Sequence, residues 1–304
     1  MNRLDKEELS ALRGLLRDRL GAGDLTLGNI AVGCSHDVYC AQTPQGEKMF
    51  VKVVGGELRG EIERTLDFLS RSGGSALLPG AIIDKPLEWR GRIVSCLSWQ
   101  KGDVVFPERM SDAQADSLVS AYKEAAGLFA KSAHIAPPRD LPALFGSISD
   151  YAARFPFVKP LLKPLLSIPE PERTYGAAGL VAIHGDFQYR NYAFTGDRVS
   201  ALYDFDTIMY GCPAEDLLYA IAGRYARSEA SANDRARLAA LLIRMIGKCG
   251  WPLEEWRRAL AVCRIRVAAK RISKRPRNPL LAIDIARRDA PYRVLADAIP
   301  RTGK

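Results

Sequence analysis

A lysine stands in the middle of an apolar run, Met49-Phe50-Val51-Lys52-Val53-Val54. The run is short, rich in β-branched and aromatic residues, and follows turn residues, so it reads as a buried strand. An ammonium in such a strand is too costly to keep without a partner. Any fold for this chain must therefore bring a partner to Lys52.

The neighbouring segments suggest what surrounds that strand. Residues 25–33 and 37–43 have the same strand character, and Pro44-Gln45-Gly46 is a turn composition. Residues 81–89 and 92–99 read as two more strands around Arg90-Gly91. Between the two groups, Leu58, Ile62, Leu66 and Leu69 recur at helical spacing until Gly73-Gly74. An earlier helix over residues 5–20 carries Leu9, Leu12, Leu15, Leu16 and Leu20, with Gly21 as its stop. The first hundred residues thus predict a five-stranded antiparallel sheet with one helix packed across it. Lys101-Gly102-Asp103 marks a boundary between units 1–100 and 101–304. Beyond it the pattern is mostly helical, with a long helix over 111–133 and one or two short helices in the proline-punctuated 137–171. The class is α+β.

Composition excludes several roles. No run approaches the roughly 18 apolar residues of a membrane span. The charged N-terminus has no apolar signal core, which points to the cytoplasm. The cysteines at 34, 40, 96, 212, 249 and 263 form no CxxC pair and read as buried free thiols. His36, His134 and His184 are too scattered for a histidine-rich metal site. The net charge is +9, and residues 251–290 hold eleven Lys/Arg against four acids. That stretch lacks aromatic interleaving and any nucleic-acid motif, so it argues against a nucleic-acid partner and reads as a largely solvated face.

The chemistry centres on His184-Gly185-Asp186-Phe187-Gln188-Tyr189-Arg190-Asn191. Residues 192–194 and 199–203 read as a hairpin around Thr195-Gly196-Asp197-Arg198, and Asp204 stands at its end. The hairpin predicts that Asp186, Asn191 and Asp204 converge. Magnesium takes oxygen ligands, often one or two from protein with substrate phosphates supplying others. A carboxylate kept off the metal can accept a proton from an attacking hydroxyl. Aspartate, asparagine five residues later and a further aspartate after a hairpin form a phosphoryl-transfer layout. In that layout Lys52 meets nucleotide phosphates and a glutamate on the next helix. Glu61 and Glu63 are both available, and Glu61 lies nearer the apolar stripe.

The chain resembles the aminoglycoside phosphotransferase / choline kinase-like family, which shares the protein-kinase fold. His184-Gly185-Asp186 with Asn191 matches its HGDxxxxN motif, and Leu202-Tyr203-Asp204-Phe205-Asp206 its apolar-Asp-aromatic-acidic motif. Gly211-Cys212-Pro213-Ala214-Glu215-Asp216-Leu217 matches its G-x-P-x-x-D-L segment, and Lys52 its strand lysine. The resemblance spans roughly residues 25 to 225. It implies a two-lobed fold, with a catalytic-loop hairpin in the helical lobe. Asp186 becomes the catalytic base, Asn191 and Asp204 the Mg²⁺ ligands, and ATP or GTP the co-substrate.

The resemblance also implies that Gly33–Asp37 covers the phosphates, with Ser35 the foremost contact, and that the backbone of Ser95–Trp99 (through Cys96, Leu97 and Ser98) meets the base. His184 and Asp216 become structural supports, and Gln188, Arg190 and Asp206 candidate acceptor contacts. The phosphate loop departs from the family in carrying a single glycine, and the last 80 residues match no pattern.

The acceptor implied is a small-molecule hydroxyl. The basic balance favours a sugar, amino sugar, sugar acid or other neutral-to-anionic metabolite over an aminoglycoside. Absent GxxxxGK[ST], GxSxG, GxGxxG and APE signatures argue against P-loop, hydrolase and protein-kinase chemistry. A nucleotide-binding pseudokinase is the competing class, and no key residue is missing to favour it. The oligomeric expectation is a monomer or a homodimer.

Overall fold

The computed structural model describes residues 4–21, 23–30, 37–131, 136, 140–170, 180–225 and 231–299, with backbone alone at 223–225 and 291. The chain divides into two compact units. One is Met1–Lys101 together with Ala201–Asp206; the other is Gly102–Ser200 with Thr207–Lys304. A single boundary at 101 does not anticipate the return of residues 201–206 to the first unit.

The first unit is built on strands β1 (Thr26–Asn29), β2 (Asp37–Gln42), β3 (Lys48–Gly55), β4 (Leu87–Trp89) and β5 (Arg92–Ser98). They form one antiparallel sheet in the order β1-β2-β3-β5-β4. Strand β3 lies at the centre, with Lys52 opposite Val38 on one side and Ser95 on the other. Alternation sends Val51 and Val53 to one face and Lys52 to the opposite face. Val51 and Val53 join a core with Tyr39, Val94, Cys96, Leu12 and Leu16. The last two belong to helix α1 (Lys6–Leu20), which starts at a capping box between Asp5 and Glu8. The expectation of one helix against the sheet is therefore short by one: α1 also packs on it, on the face away from Lys52.

Helix α2 (Arg59–Arg71) buries Ile62, Thr65, Leu66, Phe68 and Leu69. The strand expected over 81–89 is reduced to Leu87–Trp89, with an isolated bridge at Ala81. Pro86 has no N–H to offer a ladder, and pairing resumes only after it.

The second unit is mainly helical. Helix α3 (Asp112–Lys131) starts at Ser111, whose Oγ accepts from Gln114 N at 3.0 Å while Gln114 returns a bond to Ser111 N. Helices α4 (Leu141–Arg154) and α5 (Lys159–Leu166) occupy the proline-punctuated segment. Helices α6 (Pro213–Tyr225), α7 (Ala232–Cys249), α8 (Leu253–Lys274) and α9 (Leu281–Ala298) follow. Ile148, Leu162, Ile265, Ala268 and Ile285 gather α4, α5, α8 and α9 around one apolar core. Strand β6 (Val181–Ile183) pairs antiparallel with β9 (Met209–Gly211), and β7 (Tyr192–Thr195) with β8 (Arg198–Leu202). The β6–β9 pair brackets the span that holds the catalytic candidates. No helix among the described residues is long and apolar enough to cross a membrane.

Candidate active site

The turn after β6 has each of its backbone polar groups accounted for. His184 N and Gly185 N donate to the two oxygens of Asp216 at 2.7 and 2.9 Å. Tyr122 Oη adds a third donor to the same carboxylate at 2.9 Å. Asp216 lies in the first turn of α6 and is buried. Burial pushes its pKa up, while His184 and the Tyr122 hydroxyl work in the opposite direction. Thr207 Oγ1 donates to His184 O at 3.0 Å, and Arg266 Nη2 donates to Gly185 O at 2.5 Å. Asp186 N faces His184 Nδ1 at 3.4 Å. Gly185 has φ 81°, and a Cβ there would collide with the Thr207 carbonyl oxygen, so only glycine fits.

Asp186 and Asn191 are locked to each other. Asn191 Nδ2 donates to Asp186 O at 2.7 Å and Asn191 N donates to Gln188 O at 2.7 Å. The amide NH₂ is thereby turned inward, which makes Oδ1 the ligand atom this side chain has to offer. Gln188 Nε2 donates to Asp186 Oδ2 at 3.0 Å and so steadies the candidate base instead of reaching outward. Arg190 folds back on the ring of Tyr189, with Nε 2.8 Å from its hydroxyl. His184 is fully buried among Phe129 and Phe187, a structural position.

In the first unit, Lys52 finds its partners in the 204–206 segment. Its ammonium donates to Asp204 Oδ1 at 2.7 Å and to Asp206 Oδ2. Burial alone would lower the lysine pKa, but the two carboxylates outweigh it and hold the pKa above the ordinary range. The expected partnership with Glu61 needs correcting. No ion pair joins Lys52 to Glu61 or to Glu63, and Glu63 pairs with Arg59. The α2 residue that reaches this cluster is Thr65, which donates to Asp206 Oδ1 at 3.0 Å. Both oxygens of Asp206 are therefore engaged, one by Lys52 and the other by Thr65. Asp204 adopts φ 62°, a left-handed backbone that a non-glycine residue rarely takes.

The strand expected to meet the base also needs adjustment. Ser98 N donates to Gly80 O at 2.8 Å, and Ile82 N donates to Cys96 O at 3.0 Å. On its other side β5 pairs with β3. The backbone of Cys96, Leu97 and Ser98 is thus flanked on both edges, and Trp99 is the first residue beyond the strand. Ser35 and His36 lie outside the described residues.

Arg266 and Thr65 escaped the sequence reading. Both carried a signal: Arg266 follows the buried Ala259 and Cys263 at helical spacing, and Thr65 precedes the buried Leu66. The basic stretch is likewise more structural than expected. Arg264 forms a two-pronged pair with Asp289, Arg266 pairs with Glu215, and Arg271 and Arg288 share Asp284.

A family model described as the phosphotransferase enzyme family matches residues 26–260. The chain belongs to this family. It is a phosphotransferase, and its fold is the kinase-like α+β one. Among solved structures it is similar to macrolide 2'-phosphotransferase MphH from Brachybacterium faecium, at 19% identity over 98% of this chain and 99% of that one, with TM-score 0.59. It is also similar to aminoglycoside 2'-phosphotransferase-IIIa in its GDP complex, at 11% identity over 94% and 98%, with TM-score 0.68. Aminoglycoside phosphotransferase APH(3'')-Id from Streptomyces rimosus, in complex with ADP and streptomycin, shares 18% identity over 84% and 97%, with TM-score 0.59. At these identities the likeness is one of fold. A search of curated proteins gives no match.

Proposed function

We propose that this phosphotransferase moves the γ-phosphate of ATP or GTP to a hydroxyl of a neutral-to-anionic small molecule, with Asp186 as the base. The observation that carries the base assignment is the fully bonded HGD turn. Asp216, Thr207, Arg266 and Asn191 hold the backbone around Asp186 from four directions. That rigidity suits a group that must meet a substrate hydroxyl at hydrogen-bond distance.

Among the described residues no three His, Cys, Asp or Glu side chains gather as a metal site. Magnesium in phosphoryl transfer does not need such a cluster, because substrate phosphates complete its shell. Asn191, with its amide oxygen turned away from Asp186 O, and Asp204, with 41% of its side chain exposed, are suitable hard donors. The metal, when bound, supplies charge neutralisation on the transferring phosphoryl group. Lys52 orients phosphates, and Asp186 takes the hydroxyl proton. A nucleoside triphosphate co-substrate supports a cytoplasmic location for the reaction.

The chain's net charge of +9 supports this acceptor class, as does the charge near the proposed base. Arg190 lies on the loop four residues after Asp186, against the ring of Tyr189, and no carboxylate pairs with it among the described residues. A cation there disfavours a polycationic acceptor. The second reading, an antibiotic kinase, rests on the macrolide and aminoglycoside enzymes that share the fold. ADP release with Mg·ATP, run against sugars, sugar acids, amino sugars, macrolides and aminoglycosides, tests both. Stimulation by an anionic or neutral sugar and its loss in Asp186→Asn is the expected result. Stimulation confined to aminoglycosides would overturn the acceptor class. An Asp186→Asn enzyme with wild-type turnover would overturn the mechanism.

A further inference from the structure

The 204–206 segment presents two carboxylates to one lysine, and the two are not equivalent. The Asp204 side chain is 41% exposed, whereas that of Asp206 is 10% exposed. Asp206 divides its oxygens: Oδ2 accepts from Lys52, and Oδ1 accepts from Thr65 of α2 at 3.0 Å. Thr65 is itself buried, and its single hydroxyl proton lies between Asp206 and the Glu61 carbonyl at 3.1 Å. The charged oxygen is the stronger acceptor of the two. One turn further along the same helix face, Phe68 packs on Phe205 with ring centroids 5.1 Å apart. Residues 205 and 206 therefore dock side by side on Phe68 and Thr65, which fixes α2 to the segment that carries the lysine's counter-charges.

Glu61 has no comparable place. It is half-buried and lies on the Thr65 side of the helix, with Ile62 and Thr65 taking the buried positions. Burial, and then repulsion from Asp206, push its carboxyl pKa up, against the pull of Arg64 and Lys52.

We propose that Asp206 is the positioning residue that aligns Lys52 for nucleotide phosphates, and that through Thr65 it ties helix α2 to this alignment, the part expected of Glu61. This rests on the phosphotransfer reading above. The two carboxylates then have separate tasks. Asp204, reachable from solvent, can exchange the ammonium for another cation. Asp206 stays with Lys52 throughout, so the lysine never becomes a buried charge without a partner.

The test compares Thr65→Val, Thr65→Ser and Glu61→Gln. Thr65→Val should raise the Michaelis constant for ATP at least about tenfold, the worth of one bond to a charged group, and leave the acceptor constant unmoved. Thr65→Ser, which restores the hydroxyl, should return it towards wild type. Glu61→Gln should have the smaller effect. A Thr65→Val enzyme equal to wild type, or a Glu61→Gln effect as large as that of Thr65→Val, would overturn the proposal.

A readout independent of nucleotide comes from urea unfolding of Thr65→Val, Asp206→Asn and the double variant. Non-additive losses are expected, because the two side chains share one bond. Additive losses beside normal ATP binding would sink the assignment of Asp206 alone. A wild-type protein that bound neither ATP nor GTP would sink the phosphotransfer reading, and this proposal with it.

Discussion

The guanidinium of Arg266 and the carbonyl of Gly185 lie 81 residues apart in the chain and 2.5 Å apart in space. The bond holds the peptide unit that supplies the Asp186 amide. Arg266 also pairs with Glu215, a fully buried carboxylate, and its side chain is 20% exposed. A helix with no recognisable motif thus reaches the turn that carries the proposed base.

Removing that guanidinium should therefore affect both turnover and stability. Arg266→Met is expected to lower kcat roughly 10- to 100-fold, with the ATP Michaelis constant within about twofold, because the proposed base Asp186 is misplaced while Lys52, the proposed phosphate contact, is untouched. It should also cost about 3 kcal/mol of stability, since the buried carboxylate of Glu215 loses the cation that balances its charge. Arg266→Lys keeps the charge but loses the fork and should fall between. Steady-state kinetics with urea unfolding check all three; an unchanged kcat for Arg266→Met would contradict the coupling.

Asn191 joins two tasks in one amide. Its NH₂ fixes the Asp186 carbonyl, and its oxygen is the proposed ligand atom. Asn191→Ala should raise the Mg²⁺ concentration for half-maximal activity by at least about 10-fold. A Mg²⁺ titration that superimposes on wild type would remove Asn191 from the metal's ligands.

Gly185→Ala should be among the most damaging single-methyl additions in the second unit. Its φ of 81° strains any L side chain, and the new methyl would strike the Thr207 carbonyl. The backbone strain alone is worth about 1–3 kcal/mol. Gly196→Ala, at φ 60° with nothing within 4 Å of the added carbon, is the control and should cost about 1–2 kcal/mol. Melting temperatures of the pair separate the clash from the strain.

Thiol chemistry should follow burial. Burial pushes Cys96 and Cys212 up to about 12 and Cys249 up to about 11. At pH 8 these thiols carry almost no thiolate and should resist iodoacetamide in the native protein. Cys40, only partly buried, should be labelled first among Cys40, Cys96, Cys212, Cys249 and Cys263. Peptide mass mapping reads the order, and rapid labelling of Cys96 would contradict the packed core between α1 and the sheet.

Features written into local sequence were legible. The five strands, the helix over 59–71 and the break near 101 follow from periodicity and turn residues. The HGDxxxxN spacing was legible because its members lie on one short loop. The partner of Lys52 was not. Choosing Glu61 used the rotation of one helix, whereas the answer depends on a segment some 150 residues later docking on Thr65. A threonine on a buried stripe looks like packing, and its hydroxyl acquires a task only when Asp206 arrives. Arg266 was hidden for the same reason: an arginine in a basic helix looks solvated until the carbonyl it serves is known.

The return of residues 201–206 to the first unit bears on how the protein is made. During synthesis the sheet around Lys52 emerges well before its counter-charges, which lie 152 and 154 residues further on. Until Asp204 and Asp206 leave the ribosome, Lys52 has an apolar strand and neither of its native anions. The N-terminal hundred residues are thus a poor autonomous folding unit, and a fragment ending at residue 101 should be less stable than its strand content suggests.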